Sequence, residues 1–310
     1  KLSDASEEEI EALLDDTTEL PGGELDRVGV ATDSYLEHVV ERFGSDLTGL
    51  RIAVDCANGA YSGIAPEAFE QLGADVIAIG DEPNGSNINL GYGATDLVAL
   101  SHKVVESGCD LGVAFDGDGD RMLAVDSAGE VVDGDQILAV LALHLGVEVV
   151  AVTVMTNLGF HRLMEERGIR VLTTAVGDRY VLEALRREDG LLGGEQSGHV
   201  IYLRDHVTGD GLAAALLLCD AIRGRTLSDA VAVMPRYAQA KKNVRTTGGV
   251  PATALAEADR LNAELGSSGR VLVRSSGTEP LVRVLGEAKT NEEARNLCAR
   301  IAGLVQMELG

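Results

Sequence analysis

Basic residues are scarce in this chain. Its 310 residues carry 50 acidic against 26 basic side chains, a net charge of −24 at pH 7. That balance argues against general binding to nucleic acid or to an acidic membrane surface, both of which need basic protein surface. Any phosphate ligand must therefore be held by a local positive pocket. Lys is rarer still, at five of the 26 basic residues, a bias attributed first to genome composition and not to function. The four cysteines, Cys56, Cys109, Cys219 and Cys298, lie far apart without CxxC spacing, so neither a zinc site nor a disulfide framework is signalled and reduced core thiols are expected. No signal peptide is evident. The one long apolar run, Ile137 to Met155, is broken by His144, Gly146 and Glu148, which suits a buried helix followed by a strand better than a membrane span. These absences together point to the cytoplasm. Without a GKS or GKT pattern, nucleoside triphosphate hydrolysis is unsupported.

What the chain does have is a concentration of charge at Asp116-Gly117-Asp118-Gly119-Asp120-Arg121. Three carboxylates at alternate positions, separated by residues without side chains, let a tight turn gather their oxygens around one hard cation, Mg²⁺, Ca²⁺ or Mn²⁺. A solvated acidic turn is the plainer reading. Apolar runs on both sides, Leu111 to Phe115 and Met122 to Val125, read as buried strands, and unpaired carboxylates at such a junction repel one another. An EF-hand is excluded, because Arg121 and Ser127 stand where that loop needs Gly and Glu. Arg121 beside the carboxylates fits a site that also meets an anion.

The length and a hydrophobic content of 45% allow two or three domains with real cores. The fold class read from the pattern is α/β, with two consecutive mixed-sheet α/β domains followed by a small C-terminal α+β domain. Residues 1–30, with Pro21-Gly22-Gly23 after an acidic helix, hold too little apolar material to fold alone and read as the remnant of a missing first domain with its linker. Residues 31–130 form an α/β domain ending in the carboxylate loop, with a helix expected from Thr95 to Ser107. Residues 131–237 form a second α/β domain, and residues 238–310 the α+β domain.

Two further loops carry chemistry. Arg274-Ser275-Ser276-Gly277-Thr278 follows a strand and combines a guanidinium, three hydroxyls and a Gly that lets backbone N–H groups converge on an anion, as a phosphate cradle does. A polar turn between strands is the alternative. Glu195, Ser197 and His199 alternate between small residues, so an extended loop would turn all three to one side. Their oxygens suit paired sugar hydroxyls, and His199 suits proton transfer, unless the loop merely caps a turn. The other five histidines, His38, His102, His144, His161 and His206, show no ligand spacing.

Taken in order, DGDGDR, GEQSGH and RSSGTEP resemble the loops of the α-D-phosphohexomutase superfamily, and three loops in order are far more specific than any one. Pro83 to Asn89 and the VGDRYV stretch at Val176 to Val181 are similar to the phosphoglucosamine mutase branch, which interconverts glucosamine 6-phosphate and glucosamine 1-phosphate for cell-wall precursor synthesis. Phosphomannomutase/phosphoglucomutase is the near alternative, usually with Met where Gln196 stands. The resemblance implies Mg²⁺ on Asp116, Asp118 and Asp120, with Arg121 steadying the phosphoryl group. It implies sugar hydroxyls on Glu195 and Ser197, proton transfer at His199, and the non-reacting phosphate on Arg274, Ser276, Gly277 and Thr278. Asp178 and Arg179 would lie in the loop that orients the sugar. The family works through a phosphoserine and a 1,6-bisphosphate intermediate. No SHNP-type serine motif occurs in the 310 residues, so this chain by itself is expected to lack both the nucleophile and the phosphoserine ligand of the metal. The partner implied is a small sugar phosphate. A non-catalytic sugar-phosphate-binding module is the second class of reading. A phosphatase with an Asp nucleophile is disfavoured, because Asp120 stands where the DxDxT motif needs Thr.

Overall fold

The computed structural model describes residues 4–14, 32–246, 248–276 and 279–309. Pro21-Gly22-Gly23 therefore lies outside the described residues, as do Gly277 and Thr278. Helices α1 (Asp4–Leu13) and α2 (Thr32–Phe43) precede a first sheet unit made of β1 (Arg51–Asp55), α3 (Ile64–Gln71), β2 (Asp75–Ile79), α4 (Val98–Ser107), β3 (Leu111–Phe115), β4 (Met122–Asp126) and β5 (Val131–Val132). The strand order is β2-β1-β3-β4-β5. β1 pairs in parallel with β2 and β3, while β4 turns back antiparallel on β3 and on β5. Every residue of β3 is buried, as a continuous apolar run with helices on both faces demands. The helix expected from Thr95 starts only at Val98. The Asp96 carboxylate accepts a hydrogen bond from the Val98 N–H at 3.3 Å, and an Asp bonded to its own backbone two residues on favours a turn over a helix.

The next unit repeats that plan with α5 (Gly134–Leu145), β6 (Val149–Thr153), α6 (Leu158–Glu166), β7 (Arg170–Thr174), α7 (Asp178–Arg187), β8 (Leu192–Gly194), β9 (Val200–Tyr202), α8 (Gly211–Ala221) and α9 (Leu227–Val231). Its order is β7-β6-β8-β9, three parallel strands followed by an antiparallel one. The Ile137 to Met155 run divides into the end of α5 and the strand β6 with its following turn, in line with the sequence reading. Asp133 and Gln136 close a reciprocal capping box at the start of α5, which fixes where the helix begins.

Helices α5 and α8 are apolar on nearly all sides, and such a helix must be enclosed. Here the two sheets enclose them. α8 packs on β3 and β4 of the first sheet and β9 of the second, and α5 on β4 and β8. One continuous apolar core from Leu36 to Met234 results. The last unit, β10 (Ala238–Arg245), α10 (Ala252–Leu265), β11 (Gly269–Ser275), β12 (Leu281–Ala288) and α11 (Asn291–Leu309), is an antiparallel sheet in the order β10-β12-β11. It has its own core around Val271, Val282, Val284, Ile301 and Val305. No helix among the described residues is long and apolar enough to cross a membrane.

Leu216 on α8 is fully buried between the two sheets. Leu216→Ala is expected to lower unfolding free energy by about 2–5 kcal/mol in urea titrations followed by circular dichroism, and a loss below about 1 kcal/mol would contradict a close-packed helix layer there.

Candidate active site

The hairpin between β3 and β4 carries the six-residue acidic loop. Its first carboxylate, Asp116, is fully buried at the end of β3 and is held twice by one residue. Oδ2 accepts from Arg121 Nε at 2.6 Å and Oδ1 from the Arg121 backbone N–H at 3.1 Å. Asp120 Oδ1 lies 3.6 Å from the same Nε. One ligand atom from each of Asp116, Asp118 and Asp120 falls within 4.8 Å of the others. Gly119 is required at the bend: its φ is 80°, and a Cβ there would come within 2.5 Å of the Tyr61 ring. Three hard oxygen donors converging beside a single guanidinium fit a divalent cation of the Mg²⁺, Ca²⁺ or Mn²⁺ type.

The acidic loop is stitched to the second sheet unit. Met122 N–H donates to the Gly198 carbonyl at 2.9 Å, and Arg121 and His199 form an isolated antiparallel bridge. The His199 ring is 4% exposed and sits between two carboxylates, with Nδ1 3.3 Å from Asp120 Oδ2 and Nε2 3.7 Å from Asp178 Oδ2. Imidazole between acids in a closed setting is a proton-exchanging arrangement.

Two sequence expectations change here. Asp178 and Arg179 were expected in a loop, and they form the first turn of α7. Gly177, with φ of 135°, precedes that turn, and its N–H donates to Glu195 Oε1 at 3.0 Å. The loop is therefore short and the helix starts early. Arg179 is drawn along its own helix to Glu183 at 3.0 Å. The second change concerns Glu195, Ser197 and His199. Residues 195–198 form a turn closed by the Gly198 N–H on the Glu195 carbonyl at 3.0 Å, so the period-two argument for an extended comb fails. Glu195 faces the α7 start, Ser197 is exposed at the turn, and His199 is buried.

Gln196 was not singled out by sequence chemistry, yet it is the most connected residue of the turn. Its Nε2 donates to Asp135 Oδ2 and Gln239 Oε1, both at 3.1 Å, and its Oε1 accepts from Lys241 Nζ at 2.7 Å. It joins the sugar-loop candidate to β10. A cavity of about 960 Å³ lined by Asn157, Gln196, Arg236, Gln239, Lys241 and Lys289 among others opens beside it.

Arg274 lies at the end of β11, directly opposite Arg283 on β12, and Arg283 is opposite Asn243 on β10. Alternation puts Lys241, Asn243, Arg283 and Arg274 on one face of the sheet, where they line a cavity of about 190 Å³. Burial first, and the Arg283 charge second, pull the Arg274 guanidinium below its usual range. The buried Nε atoms of Arg274 and Arg283 have no hydrogen-bond partner among the described residues. Two facing guanidiniums and a lysine suit an anion such as phosphate. Ser276 joins them through Arg283 Nη2 at 3.2 Å, while Gly277 and Thr278 lie outside the described residues. Lys241, Asn243 and Arg283 escaped the sequence reading, since only strand register brings them beside Arg274.

The described structure thus collects Asp116, Asp118, Asp120, Arg121, His199 and Asp178 in one cluster. Glu195 is bonded to its edge, and Arg274 with Ser276 forms a second cluster reached through Gln196 and Lys241.

Family models for phosphoglucomutase/phosphomannomutase match three stretches: alpha/beta/alpha domain II over residues 33–129, alpha/beta/alpha domain III over 133–237, and the C-terminal domain over 228–304. Phosphoglucosamine mutase of Thermobifida fusca is 49% identical, covering 100% of this chain and 72% of that protein. The enzyme of the same name from Bacillus subtilis is 44% identical, covering 100% and 73%. Among solved structures, a phosphoglucomutase/phosphomannomutase family protein from Burkholderia thailandensis superposes with a TM-score of 0.76 at 22% identity, over 90% of this chain and 66% of that one. Aspergillus fumigatus N-acetylphosphoglucosamine mutase, in complex with GlcNAc-6P and magnesium, gives 0.71 at 20% identity, over 89% and 64%. The chain accordingly spans about three quarters of the curated relatives and about two thirds of these solved chains.

Asp135 generates a pH prediction. Burial, and then the Asp133 charge, push its carboxyl up to about 7, against hydrogen bonds from the Asn157 N–H and Gln196 that pull it down. A folded-state value above the unfolded one means the native protein binds the proton more tightly, so this group's stability contribution is full below about pH 4 and is lost as pH rises through 7. Asp135→Asn is expected to shrink the fall in denaturation midpoint between pH 5 and pH 8; an unchanged fall would contradict the assignment.

Proposed function

We infer function from the premise that this chain belongs to the phosphoglucomutase/phosphomannomutase family, whose domain II, domain III and C-terminal models it matches. Within the family, the reading with most support is phosphoglucosamine mutase, the interconversion of glucosamine 6-phosphate and glucosamine 1-phosphate. Identity of 44–49% to enzymes of that name over the whole chain carries it. The two clusters supply what such a reaction needs, a charge-neutralising centre for the phosphoryl group in transfer and a separate holder for the phosphate at rest. We place the reaction in the cytoplasm, feeding cell-wall precursor synthesis, and assign residues 31–130, 131–237 and 238–310 as its successive domains.

In this proposal Asp116, Asp118 and Asp120 hold Mg²⁺, which when bound offsets charge on a phosphoryl group in transfer. Arg121 stays fixed on Asp116 and presents the rest of its guanidinium to the phosphoryl oxygens. Glu195 and Ser197 accept and donate hydrogen bonds to sugar hydroxyls, with Asp178 and Arg179 at the neighbouring helix start orienting the ring. Arg274, Ser276, Gly277 and Thr278 hold the phosphate that is not reacting, and we add Lys241 and Arg283 to that group. His199 takes the proton from the attacking hydroxyl. The phosphorus–oxygen bond to a phosphoserine breaks as the bond to the sugar oxygen forms, giving the 1,6-bisphosphate while the released serine oxygen takes up a proton. In the reverse step the serine hydroxyl gives up that proton as it attacks the other phosphate, the departing sugar oxygen is reprotonated, and the phosphoserine is regenerated. The 310 residues contain no SHNP-type serine motif, so turnover needs a phosphoseryl group that they do not supply.

With purified chain and Mg²⁺, no interconversion of glucosamine phosphates is expected, and clear turnover would overturn the phosphoserine requirement. In calorimetry the same chain is expected to bind glucosamine 6-phosphate, with Arg274→Ala weakening binding by about 1.5–3 kcal/mol, the range for a hydrogen bond to a charged group. Unchanged affinity in that variant would remove Arg274 from the phosphate holder.

A further inference from the structure

Tyr61 and Asp210 lie outside every motif read from the sequence, yet they meet beneath the acidic loop. Tyr61 stands between β1 and α3, and Asp210 is the N-cap of α8. The Tyr61 hydroxyl donates to Asp210 Oδ1 at 2.9 Å and lies 2.8 Å from the Tyr35 hydroxyl, which donates to Asp210 Oδ2 at 2.9 Å. Asp210 Oδ1 also accepts the Ala213 N–H at 2.9 Å, and His206 Nε2 stands 3.2 Å from Oδ2. Burial alone would raise the Asp210 carboxyl, but hydrogen bonds from His206, Ala213 and Tyr35 outweigh it and hold the group below its usual range. Asp210 is thus a buried anion with its donors in place.

This one carboxylate fixes both supports of Gly119. Through the hydroxyl it anchors the Tyr61 ring, which lies where a Gly119 Cβ would be and packs edge-on against Phe115 at 5.0 Å between centroids. Through its cap it fixes the first turn of α8, whose Gly211 N–H donates to the Gly119 carbonyl at 2.9 Å. Gly119 separates Asp118 from Asp120. A shift at this residue changes the spacing of the last two carboxylates relative to Asp116.

We propose that Tyr61 and Asp210 are positioning residues for the metal centre: the Tyr61 ring, anchored by Asp210, and the α8 N-terminus hold Gly119 so that Asp118 and Asp120 converge with Asp116. Groups that orient ligands without touching the ion typically change metal affinity about 10–100-fold when lost. This inference rests on reading the three aspartates as ligands.

The test uses the full chain and Mn²⁺ alone, titrated by the electron paramagnetic resonance signal of the free ion, with thermal unfolding of each variant recorded in parallel. Tyr61→Leu, which removes the ring, is expected to weaken Mn²⁺ binding about 10-fold or more at a temperature where the variant is fully folded. Tyr61→Phe, which keeps the ring and loses its anchor, is expected to fall between it and the parent. Tyr35→Phe leaves the Tyr61–Asp210 bond in place and is expected to bind as the parent does. Parent-like affinity in both folded Tyr61 variants overturns the positioning role while leaving the metal site standing. Equal weakening by Tyr35→Phe and Tyr61→Leu overturns it too, since general loosening of the cluster would then explain the effect. A parent chain that fails to bind Mn²⁺ overturns the ligand reading itself.

Discussion

Mutual repulsion among three carboxylates held in one short turn is the constraint on which the rest of this structure depends. Asp116, Asp118 and Asp120 bring oxygens within 4.8 Å of each other, and like charges that close destabilise a fold unless something neutralises them or holds them in place. Arg121 does the first for Asp116, at 2.6 Å. The second is done by backbone and packing: Gly119 is bonded to the start of α8, Met122 to Gly198, and Ala60 donates to the Gly117 carbonyl at 2.9 Å. The loop has little room to relax by spreading. Charge that geometry cannot disperse is left for a cation to balance, and in the function proposed above that is what fits the β3–β4 hairpin to phosphoryl transfer.

The same constraint explains why the two α/β units share a core. The acidic loop belongs to the first sheet, and the turn at residues 195–198 that it bonds to belongs to the second. A fixed distance between them needs a rigid spacer, and α5 and α8, buried between both sheets, provide one. The last unit has its own core and meets the second through polar contacts. These include Gln196 with Lys241 and Gln239, and the Leu158 N–H on Glu287 at 3.0 Å, while Gln239 holds Glu287 from within the last unit at 2.8 Å. Glu287 is fully buried and paired with Arg270, so this contact is built from satisfied charges, and removing one partner leaves another stranded.

Much of the fold was legible because local pattern and tertiary context agree. Leu111 to Phe115 is a buried strand by composition alone, and the interrupted run from Ile137 to Met155 divides at Gly146 into helix and strand as its breaks suggest. The acidic loop was legible as a tight turn because Leu111 to Phe115 and Met122 to Val125 read as strands on either side of it. What escaped depends on contacts distant in sequence. Asp178 reads as a loop residue until Glu195 is seen to fix the Gly177 N–H, and the alternation of Glu195, Ser197 and His199 misleads because a four-residue turn replaces the extended chain. Arg283 and Lys241 come to share the face of Arg274 only through strand register. Tyr61 and Asp210, 149 positions apart, carry no local signal at all.

In the proposed function the carboxylate cluster and the Arg274–Arg283 face serve one bound sugar phosphate. Phosphorus relaxation of glucosamine 6-phosphate in the presence of the chain and Mn²⁺ tests this most directly. Paramagnetic broadening of the phosphorus resonance that disappears on Asp118→Asn, and separately on Arg274→Ala, is the predicted result. Sugar phosphate that binds to the chain with no Mn²⁺-dependent broadening would contradict it, because metal and phosphate would then occupy unrelated places on the protein.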